Sequence, residues 1–365
     1  MYTMIPLQYF FNYVSVKYDA NGYAKFFRFY PEQLETYKAG NMFKTMSESA
    51  AGVVLSFITT GNSVEFKCKA SGKLKTFLPV IKQISISNAI FALRNRPKEN
   101  ARHGKIFLDG VDFVVDGKLI STHRVSKGKM KFRFDNPLKL SHEVKIYFPV
   151  IFDLEIKDLK INGTVEVPKQ KAMILCLGDS ITQGFIAGSP SLNYVAQMSE
   201  SLNVQAINQG VGGYIYDSKS LNGIEHFKDQ FGLPKFITVA YGTNDWHYKT
   251  SYIELQKNIS QYFKRLTQIF PASHIFVITP IWRGDFKTDT KGKIPFEQVS
   301  EIIKTETSAY KTITIIDGMK LIPHDFKYFS DVYLHPSAEG FTIMTNNICR
   351  LAKFPLCEEA EVPST

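Results

Sequence analysis

The chain has 365 residues, more than one hydrophobic core usually takes, so two domains are expected, each with a core of its own. Apolar residues make up 44% and charged residues 21%, which excludes wholesale disorder, and no apolar run reaches the roughly 18 residues that a membrane-spanning helix needs. Lysine and arginine outnumber aspartate and glutamate by 44 to 34, with the excess concentrated before residue 165 in stretches such as 67–82 and 127–133.

From residue 1 to 165 the pattern is one of short alternating segments broken by Gly, Asn and Asp. Strands are predicted over 52–58, 63–69, 105–110, 111–117, 129–134, 143–148 and 153–159, with one short helix near 31–37 interrupting them. Period-two alternation with frequent turn signals predicts an all-β sandwich, jelly-roll-like. The basic residues fit that reading: Lys131, Phe132, Arg133 and Phe134 alternate as the solvent face of a half-buried strand does, so neither nucleic acid nor a membrane is an expected partner.

After Asn162, Gly163 and Pro168 the pattern changes to apolar runs separated by longer amphipathic stretches. Strands are predicted over 172–177, 204–208, 236–241, 274–279 and 312–317, and helices over 192–201, 252–270, 296–310 and 337–351. Such alternation predicts an α/β fold with a doubly wound, parallel five-stranded sheet, in which ligands bind at the carboxyl ends of the strands. The second domain is expected over 166–357, with 358–365 a frayed tail. Cys68, Cys176, Cys349 and Cys357 lack metal-ligand or redox spacing and read as free thiols. Before Lys17 there is no basic residue and no clear cleavage site, so no signal peptide is recognised and a cytoplasmic protein is expected.

The first strand of the second domain runs directly into Gly178-Asp179-Ser180-Ile181-Thr182-Gln183-Gly184, which places a hydroxyl at a strand's carboxyl end. A serine nucleophile needs a base, and His335, in Leu334-His335-Pro336-Ser337, is the best placed of the eight histidines because Pro336 can open a helix just after it. Taken singly, Gly-Asp-Ser reads as a turn and His-Pro as a helix start. Two further fragments change that balance: Gly213 follows the second strand and Asn244 the third, where a backbone N–H and a neutral amide can stabilise an oxyanion together with the Ser180 N–H. Asp179 and Asp245 flank these positions and read as loop-holding side chains. His226, His247, His274 and His324 have no recurring ligand spacing, so no metal and no cofactor are expected.

These four fragments, in this order, resemble the SGNH hydrolase (GDSL-type esterase) superfamily, whose four named residues fall on Ser180, Gly213, Asn244 and His335. The likeness spans about 170–352, and the whole chain is similar to the two-domain subgroup of carbohydrate esterase family two, in which a β-sandwich precedes the hydrolase. The resemblance implies a serine esterase of short-chain acyl groups, acetyl on a carbohydrate hydroxyl foremost, with a small-molecule or oligosaccharide ester as partner. A lipid esterase or thioesterase, or a carbohydrate-binding protein with an inactive hydrolase domain, is the alternative. One departure stands out: the family's aspartate, three residues before the histidine, is here Val332, with Asp331 one step further back. Either Asp331 completes a triad, or a backbone carbonyl orients the imidazole in a Ser-His dyad. Trp246, Trp282 and Tyr214 are candidates for the substrate pocket, with loop packing as the competing role.

Overall fold

A computed structural model describes residues 5–70, 109–125, 127–169, 171–287, 294–331 and 333–353. Most of the strand predicted over 105–110, together with Cys357 and the tail, lies outside the described residues. In chain order the first half contains β1 (Phe10–Phe11), β2 (Ser15–Tyr18), β3 (Ala24–Phe27), α1 (Pro31–Tyr37), α2 (Asn41–Ser47), β4 (Val54–Thr59) and β5 (Ser63–Ala70). It continues with β6 (Gly110–Val115), β7 (Lys118–Arg124), β8 (Gly128–Arg133), β9 (His142–Tyr147), β10 (Leu154–Ile161) and β11 (Val165–Glu166).

These strands form two antiparallel sheets, ordered β1-β4-β9-β6-β7, with β11 also on β4, and β2-β3-β10-β5-β8. Leu55, Phe57, Phe113 and Ile146 of one sheet share a single core with Phe26, Phe66, Phe132 and Ile156 of the other, the arrangement of a sandwich. The alternating charges lie outside, where Lys129 and Lys131 pair with Glu65 and Lys67 pairs with Asp158.

The second half contains β12 (Met173–Gly178), α3 (Ser180–Gln183), α4 (Tyr194–Ser201), β13 (Gln205–Gly210), α5 (Phe227–Phe231), β14 (Phe236–Ala240) and α6 (Thr243–His247). It ends with α7 (Tyr252–Ile269), β15 (His274–Ile278), α8 (Phe296–Thr307), β16 (Ile313–Ile316) and α9 (Ala338–Ala352). The five strands are all parallel in the order β13-β12-β14-β15-β16. Burial on both faces explains why β12 reads as an unbroken apolar run. Its Leu175 and Leu177 join Leu255, Ile259 and Phe263 of α7 and Val299 of α8, while its Ile174 and Cys176 join Val195 of α4 and Phe341 of α9. The sheet order reverses direction at β12, so the chain after β12 and after its neighbours β13 and β14 converges on one crevice.

Residues 29–46 lie inside the stretch expected as sandwich, yet they pack differently. Phe29, Tyr30, Tyr37 and Met46 belong to the same core as Leu175 and Ile207 of the parallel sheet. Arg28 anchors this excursion: fully buried, it donates to the carbonyls of Met46 and Ser49 at 2.9 Å and to those of Asn208 and Gly210, at the end of β13, at 2.8 and 3.1 Å.

Candidate active site

β12 delivers the chain to Ser180 through a tight turn. Asp179 caps α3 by accepting the Ile181 N–H at 2.9 Å, and a Cβ on Gly178 would lie 2.7 Å from the carbonyl oxygen of Ala240, so only glycine fits there. Burial pushes the Asp179 carboxyl up to about 7, against the opposing pull of that hydrogen bond and of the His335 and Arg283 charges. Ser180 is 6% exposed and its Oγ lies 2.8 Å from His335 Nε2.

His335 precedes the α9 cap, where Ser337 Oγ accepts the Gly340 N–H, and its ring packs against Phe185 with centroids 4.9 Å apart. Its Nδ1 lies 2.6 Å from Asp331 Oδ2. The other carboxylate oxygen, Oδ1, accepts the backbone N–H groups of Tyr333, Leu334 and His335 at 3.2, 2.9 and 2.9 Å. Three successive N–H groups, from Tyr333 to His335, thus converge on one carboxylate oxygen of Asp331. Burial alone would raise the Asp331 carboxyl, but the facing His335 and these hydrogen bonds outweigh it and hold the group below the usual carboxylate range. With the Nδ1 proton directed at Asp331, Nε2 is left as the acceptor for the Ser180 hydroxyl proton.

Gly213 lies on the loop that follows β13, and Asn244 in the first turn of α6, just after β14. Gly213 has φ +79°, a left-handed conformation in which a side chain is strained, and among the described residues its N–H meets no protein acceptor. Asn244, 7% exposed, donates one Nδ2 hydrogen to the Tyr214 carbonyl at 3.0 Å, so this bond fixes the amide while its second hydrogen remains available. The adjacent Asp245 accepts the Tyr216 N–H, and burial lifts its carboxyl to about 7.

The three aromatic candidates turn out differently from the pocket-lining expectation. Trp246 is 3% exposed, donates Nε1–H to the Ile294 carbonyl at 3.1 Å and lies under the Arg283 guanidinium, so its ring is engaged in packing. Trp282 is likewise buried, stacked on His324 and packed against Phe326 and Phe329. Tyr214 donates its hydroxyl to Asp217 at 2.8 Å and holds its ring against Tyr37 and Phe43, so it meets the site through its backbone carbonyl.

Sequence reading missed Gln183 and the neighbours supplied by α2. Gln183 Oε1 accepts the Gly212 N–H at 2.7 Å, while its Nε2 donates to the Val150 carbonyl at 2.8 Å and to Ser49 Oγ at 3.1 Å, tying the Gly213 loop to the first half of the chain. It stands inside the Gly-Asp-Ser block, so position was the available signal; for the α2 residues there was none.

Known proteins share this architecture. At 15% identity, a salicylyl-acyltransferase from a tetracycline biosynthetic pathway superposes with a TM-score of 0.69 over 95% of both chains. A protein from Bacteroides ovatus described as a GDSL-like lipase superposes at 0.68, with 19% identity over 96% of this chain and 98% of its own. A family two carbohydrate esterase from Cellvibrio japonicus superposes at 0.61, with 14% identity over 95% of both chains. No curated protein matches the chain in sequence. The model of the GDSL-like lipase/acylhydrolase family matches residues 176–343, from the end of β12 to the start of α9. By that match the greater part of the parallel-sheet domain is similar to the GDSL-like lipase/acylhydrolase family.

Proposed function

We propose that the chain is a serine esterase that removes short acyl groups, acetyl foremost, from carbohydrate hydroxyls. The observation that carries this reading is the hydrogen-bond chain from Ser180 Oγ to His335 at 2.8 Å and from His335 to Asp331 at 2.6 Å. His335 Nε2 takes the Ser180 proton as Oγ bonds to the ester carbonyl carbon. The oxyanion so formed is held by the N–H groups of Ser180 and Gly213 and by the Asn244 amide. Its collapse breaks the bond to the sugar oxygen, which leaves with the proton from His335. Water, deprotonated in turn by His335, attacks the acyl-Ser180 ester, releasing acetate and restoring the serine. The carbohydrate portion of the reading draws support from the likeness to the family two carbohydrate esterase.

A chain-length series of p-nitrophenyl esters, run beside an acetylated oligosaccharide, tests it. The expected result is preference for acetyl, release of acetate from the oligosaccharide, and loss of both activities in Ser180→Ala. Preference for long acyl chains would favour a lipid esterase or thioesterase, and turnover retained in Ser180→Ala would overturn the mechanism. Acyl transfer, the activity the salicylyl-acyltransferase is named for, would require of this chain that an alcohol replace water at the acyl-Ser180 ester; a new ester formed on adding a sugar alcohol would reveal it.

A further inference from the structure

The loop that carries Gly213 is roofed by side chains from a distant part of the sequence. Met46 of α2 lies against Gly212, and a Cβ built on Gly213 would stand 2.3 Å from Met42 Cε, 3.0 Å from the Tyr248 hydroxyl and 3.3 Å from Phe43 Cε1. The Met42 methyl therefore rests directly on the glycine whose N–H is the candidate oxyanion donor. Met42 and Phe43 are half-buried and Tyr248 is 46% exposed, so all three side chains beside Gly213 keep a solvent-facing part. α2 is held over this loop through Arg28, which bonds the Met46 carbonyl and the end of β13 at once.

We propose that α2 forms a wall of the acyl site and that Met42 is the residue that sets the upper size of the acyl group. The inference rests on the esterase reading above, which places the substrate carbonyl at Gly213 and its acyl carbon chain beside it. An acetyl group ends at its methyl, whereas each further methylene must displace the Met42 thioether arm or the Phe43 ring. One methylene in such a pocket changes discrimination by about 10- to 200-fold. Methionine is pliable, so the limit it sets is graded.

The test compares kcat/KM for p-nitrophenyl acetate and butyrate in the full-length wild type, Met42→Ala and Met42→Trp, with thermal melting to verify folding. Met42→Ala is expected to raise the butyrate-to-acetate ratio by about tenfold or more, and Met42→Trp to lower it. A merely structural role would slow both esters alike and leave the ratio unmoved. Ratios within about twofold of wild type in both folded variants, with hydrolysis still dependent on Ser180, would overturn the assignment of Met42 alone. Absence of Ser180-dependent hydrolysis in the wild type would overturn the esterase reading, and this inference with it.

Discussion

A carboxylate four residues ahead of the imidazole it faces must turn back over its own backbone, and Asp331 does so by taking three successive N–H groups on one oxygen. The other oxygen is then aimed at His335 before any substrate arrives, and the pair stays charged on the carboxylate side because those bonds outweigh burial. Asp331→Asn preserves the size of the group but allows an amide to stabilise the unproductive tautomer, so kcat should fall heavily, by up to about 10⁴ as in serine proteases. Steady-state kinetics on p-nitrophenyl acetate checks this; a change of only a few-fold would show that the carboxylate is dispensable and that the site works as a dyad. That Ser180, Gly213 and Asn244 follow neighbouring strands and that His335 precedes the last helix was legible in the sequence, because each sits in a short block whose turn chemistry is local. Whether Asp331 reached His335 was not legible, since it depends on how a loop with one extra residue curls. The roles of Trp246 and Trp282 were equally hidden, because a large ring beside a site can face the cleft or the core and only tertiary packing decides.

Among the elements, the parallel strands and long helices were readable to within about three residues at each end because their apolar patterns are sustained, as in α7, where Leu255, Ile259, Tyr262, Phe263 and Leu266 form the buried stripe. α2 was missed. It has seven residues, follows Gly40 with no side-chain cap, and mixes Met42, Phe43 and Met46 with Lys44, Thr45 and Ser47, a pattern with no periodic signal. What holds it is tertiary: Arg28, a buried guanidinium on five oxygen acceptors supplied by Met46, Ser49, Asn208 and Gly210. Arg28→Met keeps the side-chain bulk but leaves these acceptors buried and unpaired, at about 1–3 kcal/mol for each one that cannot re-pair. Stability should therefore drop by about 3 kcal/mol or more in urea unfolding. A loss under about 1 kcal/mol would mean that water or rotated neighbours satisfy the acceptors and that Arg28 is not the anchor.

For the molecule as a whole, the sandwich and the parallel-sheet domain are joined by polar latches as well as by the α1–α2 excursion. Asp112 on β6 accepts from Thr122 within the sandwich and from the hydroxyls of Ser189 and Ser191 across the junction, and Lys145 with Tyr147 on β9 grips Glu200 on α4. Three other buried carboxyls sit near this junction or the site: Asp109 is pushed up to about 6, and Asp179 and Asp245 to about 7, all by burial. Each lies above its unfolded value, so each contributes stability that is complete below about pH 4 and lost as the pH rises through its folded value. Asp331, held below its unfolded value, works in the opposite sense and loses its contribution only in acid. Asp245→Asn removes one of the raised groups while keeping an oxygen for the Tyr216 N–H, so the fall in Tm from about pH 5 to about pH 8 should become shallower than in wild type. An unchanged slope in differential scanning calorimetry would show that Asp245 is ionised throughout that range.

The account stands on Ser180 being a nucleophile activated by His335, and a covalent trap reads this directly. Treating the chain with a p-nitrophenyl alkylphosphonate transfers the phosphonyl group to an activated serine oxygen, with nitrophenolate as the leaving group and the serine proton passing to the base. Peptide mass spectrometry should then find the adduct on the peptide that carries Ser180 in the wild type, in step with loss of esterase activity, and find none in His335→Ala. Loss of esterase activity with Ser180 unmodified, or an equal adduct in His335→Ala, would contradict it.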